Sequence, residues 1–206
     1  MKKFTAILLV LMMFAMCLCG CGGTATEDAA DDAGTASGSL TFATGGSAGT
    51  YYAYGTVLAE FVSNATDVDV TAITGNGSQA NVEDLDGGDV QIAFCQSDVM
   101  SYAYAGTNLF EAPVEGFSAV CALYMEDVQI VTCNPEIKTA ADLAGKTVSV
   151  GVQGSGVYFN AIDILSAYDL TLDDINPVYL NFGDSTEQLK DNKIDAAFVV
   201  AGAPQS

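Results

Sequence analysis

Two loops carry the residues best suited to chemistry: Thr44-Gly45-Gly46-Ser47-Ala48-Gly49-Thr50, and Gly151-Val152-Gln153-Gly154-Ser155-Gly156. Each follows an apolar run and precedes a helical pattern opened by aromatics, Tyr51, Tyr52 and Tyr54 in one, Tyr158 and Phe159 in the other. Small residues at a strand-to-helix turn leave backbone N–H groups bare, and the helix dipole favours an anion beside them. Hydroxyls of Thr44, Ser47, Thr50 and Ser155 add donors. Glycines in one loop serve turn dihedrals equally well. Two matching loops about a hundred residues apart point to ligand contact between two lobes. Helical spacing puts Tyr51 with Gly55 and turns Tyr52 toward the cleft, whereas Tyr54 and Phe159 read as core. Asn76 and Ser78, in a third turn, and Gln96 and Ser97, at the end of a third strand, are further ligand candidates; Asp98 equally fits an N-cap.

Nucleotide chemistry fails on the same loops. Gly145-Lys146-Thr147 ends like a P-loop, but Ala140 stands where the upstream glycine belongs and a strand follows instead of a helix. Gly154-Ser155-Gly156 sits correctly for a dinucleotide turn, yet Phe159 occupies the third glycine position. The first loop fits neither rule.

Catalytic constellations are also missing. With no histidine there is no Ser-His or Cys-His pair. The carboxylate pairs Asp173-Asp174 and Glu83-Asp84 fall on surface turns and helix faces. Cys95, Cys121 and Cys133 lie in apolar runs, where cysteine acts as a small hydrophobe. One disulfide among them is open, and no spacing fits a metal site. No cofactor is expected. The chain carries 6 lysines and no arginine against 26 acids, a balance that nucleic acid would repel.

The elements that must position the loops follow from alternating apolar runs and helical patterns. Strands are expected at Leu40–Thr44, Val68–Ile73 and Val90–Phe94, with helices from Thr50 to Ser63, through Leu85, and from Asp98 to Tyr104. Phe117–Cys133 reads as a pair of strands broken at Met125-Glu126-Asp127, and Thr139 as the cap of a short helical turn. A second alternation places strands at Thr147–Val152, Val178–Phe182 and Ile194–Val200, with helices at Val157–Ala167 and Thr186–Asn192 between them. The β-α-β-α-β order implies parallel sheets with sites at the strands' carboxyl ends. Ala201-Gly202-Ala203-Pro204 leaves a strand without its covering helix, so the chain is expected to be incomplete at its C-terminus.

The N-terminus has its own pattern. Lys2 and Lys3 precede an apolar run from Phe4 to Leu18, as in a secretory signal. Leu18-Cys19-Gly20-Cys21 resembles the lipobox of bacterial lipoproteins, which makes residues 1–20 a signal peptide and Cys21 the lipidated residue. Residues 21–39, rich in Gly, Ala, Thr, Ser and acid, read as a flexible tether. The folded part then divides into an incomplete lobe I (40–126) and a lobe II (127–206), outside the cell and held to the membrane by the lipid.

Taken in order, Thr44-Gly45-Gly46 with Gly49-Thr50-Tyr51-Tyr52, Gln96-Ser97-Asp98, Ala122-Leu123-Tyr124, Asp142-Leu143-Ala144-Gly145-Lys146, Val150-Gly151 with Gly154-Ser155-Gly156, and Phe198–Pro204 resemble the TAXI family of solute receptors for tripartite ATP-independent periplasmic (TRAP) transporters. The resemblance implies an α/β, type II periplasmic-binding-protein fold: two doubly wound lobes on a hinge that close on a small carboxylate or amino acid, glutamate-like or a dicarboxylate. It also implies delivery to a TRAP membrane permease. Other TRAP receptors pin a carboxylate with arginine, which this chain lacks; glycine N–H groups, hydroxyls and Lys146, or residues beyond the C-terminus, must then serve. Two other classes stay open: a cofactor- or nucleotide-dependent enzyme on the same scaffold, and a sensor-linked binding module.

Overall fold

A computed structural model of the chain describes residues 38–203. The signal, the lipobox at Cys21 and most of the tether fall outside those residues, as does Pro204.

The apolar runs form two sheets. In the first, β1 (Gly38–Ala43) lies between β2 (Val68–Ile73) and β3 (Ile92–Ala93), all parallel, with Gly38 opposite Val68 and Phe42 opposite Ile92. Helices α1 (Thr50–Ala65) and α2 (Ser78–Gly87) make the crossovers, and α3 (Ser97–Ala105) follows β3. In the second sheet the order is β4 (Asp127–Thr132), β7 (Ala196–Ala201), β5 (Thr147–Ser149) and β6 (Asn176–Val178). Its crossovers are α4 (Gly156–Ser166) and α5 (Phe182–Lys190). Strands β5, β6 and β7 are parallel, whereas β4 runs antiparallel to β7. The architecture is α/β, as the alternation requires. Among the described residues no helix is long and apolar enough to cross a membrane.

Burial follows the strand pattern. Along β7, Ala196, Ala197, Phe198, Val200 and Ala201 are all buried, the continuous apolar run of a strand covered on both faces. Ala196, Phe198 and Val200 join Leu143, Val148, Val150, Ala161 and Leu165 in the largest core cluster, and Ala197 packs with Leu189 and Ile194. Strand β2 alternates instead, with Val68, Val70 and Ala72 half-buried and Asp69, Thr71 and Ile73 exposed. A further cluster spans both halves: Phe159 of α4 is fully buried among Val82, Val99, Ala103 and Phe110.

Four expectations are corrected. Residues 117–126 contain no strand; they cross between the sheets with Val120 92% and Met125 84% exposed. An apolar run becomes a strand only beside a ladder, and no strand flanks this one among the described residues. Strand β6 ends at Val178 and not at Phe182, because Asn181 caps α5: its Oδ1 accepts the Asp184 N–H at 2.9 Å. Cys121 and Cys133 are exposed and Cys95 half-buried, all three as free thiols. Tyr54 is 45% exposed rather than core.

The Ala140–Leu143 turn forms as its sequence implies. The Asp142 carboxylate accepts the backbone N–H groups of Lys138 and Thr139 at 2.9 and 2.8 Å, which holds its pKa low.

Candidate functional site

Every parallel strand of both sheets sends its carboxyl end toward one cleft of about 200 Å³. Gly45, Gly46 and Gly49 come after β1, Gly75, Asn76, Gly77 and Ser78 after β2, and Gln96 after β3. From the second sheet come Gly151, Val152, Ser155, Gly156 and Val157 after β5, Leu180, Asn181 and Phe182 after β6, and Val200 from β7. Ligand sites of open α/β sheets form where loops diverge beyond the strand ends.

The first loop is roomy. The Gly49 N–H donates to the Gly46 carbonyl at 2.8 Å, and the Gly75 N–H donates to the Gly45 carbonyl at 3.2 Å, joining the turns after β1 and β2. A Cβ on Gly46 would meet only the Asn181 Cβ, at 3.9 Å. Tyr51 stacks on Phe94 with ring centroids 4.8 Å apart, and its hydroxyl donates to Glu126 Oε2 at 3.0 Å. Burial, then the Glu126 charge, push the Tyr51 hydroxyl far above the usual tyrosine range. Burial also raises the Glu126 carboxyl to about 7; the Tyr51 hydrogen bond opposes that rise and the Asp98 charge adds to it. Glu126 is the single charged residue among those described as lining the cleft.

The second loop is crowded. Ser155 Oγ donates to the Val152 carbonyl at 2.7 Å and accepts the Tyr158 N–H at 3.2 Å, capping α4. Gly151 has φ +82°, and a Cβ there would meet the Val157 Cβ at 2.7 Å. Gly156 faces the first half so closely that a Cβ would collide with Gln96 Oε1. Hydrogen bonds span this contact. The Gly154 carbonyl accepts the Gln79 and Ala80 N–H groups at 3.0 and 3.1 Å, so the start of α2 is occupied by protein. Gln96 Nε2 donates to Asn160 Oδ1, and Asn160 Nδ2 donates to Asp98 Oδ2, both at 2.6 Å. Farther out, the Tyr102 hydroxyl donates to Asp163 Oδ2 at 3.0 Å.

Of the residues singled out from sequence, Gly45, Gly46, Gly49, Thr50, Asn76, Ser78, Gln96, Ser155 and Gly156 line the cleft. Thr44, Tyr52, Ser97 and Gly154 do not. Thr44 is buried with its hydroxyl donated to the Ile73 carbonyl at 2.6 Å, and Ser97 is exposed in the first turn of α3. The helical phase is one residue off the expectation, so that Tyr51 and not Tyr52 reaches the cleft. Asp98 is not the N-cap of α3, a position held by Gln96. Lys146 lies at the amino end of β5, the opposite end from the cleft.

Gly151 of the second loop lines the cleft as well, whereas Glu126, Asn181 and Phe182 line it and were not foreseen. The Asn181-x-x-Asp184 cap motif signals the last two; nothing in the pattern around Glu126 signals it. Phe159, at the third position of the dinucleotide rule, fills the core where that rule needs a bare glycine.

Several solved structures share this fold. One is the arginine-bound form of truncated ArgBP from T. maritima (TM-score 0.52, 16% identity, 79% of this chain and 74% of that one). A second is AbpA, an amino acid ABC transporter substrate-binding protein from Streptococcus pneumoniae bound to L-arginine (TM-score 0.52, 18% identity, 79% and 67%). The alkanesulfonate-binding protein SsuA from Xanthomonas axonopodis pv. citri, bound to MOPS, matches at TM-score 0.50 and 19% identity over 78% of this chain and 54% of its own. The chain thus spans about half the length of the alkanesulfonate-binding protein. At these identities the likeness establishes the fold, that of substrate-binding proteins. The sequence itself matches the NMT1-like profile over residues 42–206, well over half of its length, and this chain belongs to the NMT1-like family.

Proposed function

We propose that this protein is an extracytoplasmic solute receptor that captures a small organic anion or amino acid between two lobes, 40–126 and 127–206. The observation that carries this reading is the convergence of the carboxyl-end loops of all six parallel strands on one cleft. A space of about 200 Å³ suits a small metabolite and falls below the roughly 300–1,000 Å³ of larger ligand sites. The named binding proteins of the same fold hold arginine and MOPS, both small solutes.

The order of short motifs from Thr44 to Ala203 supports a receptor of the TAXI type serving a TRAP permease, and Lys2 to Cys21 supports a lipid anchor. In this reading the acidic group of the solute sits against the N-termini of α1 and α4. The first N–H groups of a helix have no acceptor within it. The lobes close around the solute as a hinge.

Thermal-shift screening of the protein against amino acids and dicarboxylates tests the reading. A solute at a hundred times its dissociation constant stabilises the folded state by about 2.7 kcal/mol, a shift of several degrees. Silence across a broad panel sinks the receptor reading.

A further inference from the structure

We propose that the solute carries a cationic ammonium group seated against Glu126 as well as an acidic group at the glycine loops, a zwitterion of the amino-acid class and not a dicarboxylate. The inference rests on the receptor reading above.

Glu126 is positioned for this. It lines the cleft on the first-loop side, with Oε2 fixed by the Tyr51 hydroxyl at 3.0 Å and Tyr51 fixed in turn by stacking on Phe94. Its carboxylate thus has a set place in the wall. Among the described residues no lysine reaches ion-pair distance of it. The titratable groups that face it are Tyr51 of α1, Cys95 between β3 and α3, Asp98 in the first turn of α3, and Tyr124 of its own segment. None of these is a cation. A half-buried carboxylate without a counter-ion is unfavourable, and burial shifts it toward its neutral form. An incoming ammonium group removes that penalty. A second carboxylate on the solute would meet Glu126 instead, with the nearby Asp98 charge adding to the repulsion, inside a chain of formal charge −20.

The two ligand classes have opposite pH signatures. An ammonium group needs Glu126 ionised, so affinity falls as pH drops below about 7, approaching about tenfold per unit. A dicarboxylate prefers Glu126 protonated, so its affinity rises over the same interval.

Isothermal titration of the protein with L-alanine, L-glutamine and L-glutamate, against propionate, succinate and glutarate, at about pH 6 and about pH 8, separates them. The expected result is binding within the amino-acid set, tighter at the higher pH, with Glu126→Gln weakening it about thirty-fold or more and flattening the pH profile. Tighter binding of succinate or glutarate, strengthening as pH falls, overturns the inference and leaves the receptor reading standing; so does an unchanged affinity for the amino acids in Glu126→Gln. Binding by neither set overturns the inference and leaves the receptor reading to the broader thermal-shift panel. Should Glu126→Gln fail to fold by circular dichroism, the sign of the wild-type pH dependence still decides.

Discussion

The two sheets repeat one plan, β-α-β-α-β with the first strand in the centre, yet they are built to different depths. In the first, Phe42, Ala59 and Phe94 are the buried apolar residues of the sheet's cluster; in the second, twelve residues from Ile137 to Val200 form one. Strand β4 covers an edge of the second sheet by pairing antiparallel with β7. Helix α1 shows solvent an apolar stripe instead, with Tyr54, Val57 and Phe61 45%, 67% and 68% exposed. The loops differ in the same sense. The loop after β1 leaves room around Gly46, whereas the loop after β5 is capped, crowded and pressed against Gln96. The second sheet is thus the firmer platform, while the first half leans on Phe159 of α4 through Val82, Val99, Ala103 and Phe110 and brings Tyr51 to the cleft. Regions with few buried apolar contacts open at lower free energy.

Paired substitutions can break that comparison. Phe198→Ala, in the second core, is expected to cost about 3–5 kcal/mol in urea unfolding, whereas Phe61→Ala on α1 changes stability by no more than about 0.5 kcal/mol. Equal losses would mean that the α1 stripe is packed as firmly as the second core. Asn160→Ala leaves Gln96 and Asp98 without the amide that joins them and is expected to cost about 1–3 kcal/mol. Gly156→Ala places a methyl against Gln96, so solute affinity is expected to drop tenfold or more by titration, about 1.4 kcal/mol. Gly46→Ala, with open space, changes affinity by no more than about twofold. Ser155→Ala removes the cap of α4 and costs about 1 kcal/mol, detectable as a lower urea midpoint.

Glu126 contributes a pH dependence of stability that reaches toward neutrality. Its folded pKa, about 7, exceeds the ordinary carboxyl value of 4.5, so the folded state binds the extra proton. Stability therefore falls as pH rises from about 4.5 through about 7 and levels off above. Glu126→Gln is expected to flatten that decline while weakening solute binding. A stability profile unchanged by the substitution would remove Glu126 as its source.

Much of this was legible in the residues themselves. The glycine loops sit where an apolar run meets a helical pattern, and that junction located Gly45, Gly46, Gly49 and Gly156 on the cleft. Phe159 was legible as core because it follows the first turn of a strongly apolar helix. Helix phase was not legible to within one residue, since Tyr51 and Tyr52 are adjacent and chemically alike; the stacking of Tyr51 on Phe94 decides between them. Glu126 escaped because it closes an apolar run whose hydrophobicity mimics a strand but whose residues are largely exposed. The run up to Cys133 was legible as a strand, but the antiparallel direction of β4 was not, because strand direction depends on which neighbour is met and not on local pattern.

Both loops are proposed to grip one solute. Backbone amide NMR of the protein titrated with the solute that stabilises it most would test this directly. Amides at 45–51 and 151–157 are expected to shift together, with one common saturation curve. Shifts confined to one loop, or two curves with different midpoints, would contradict it.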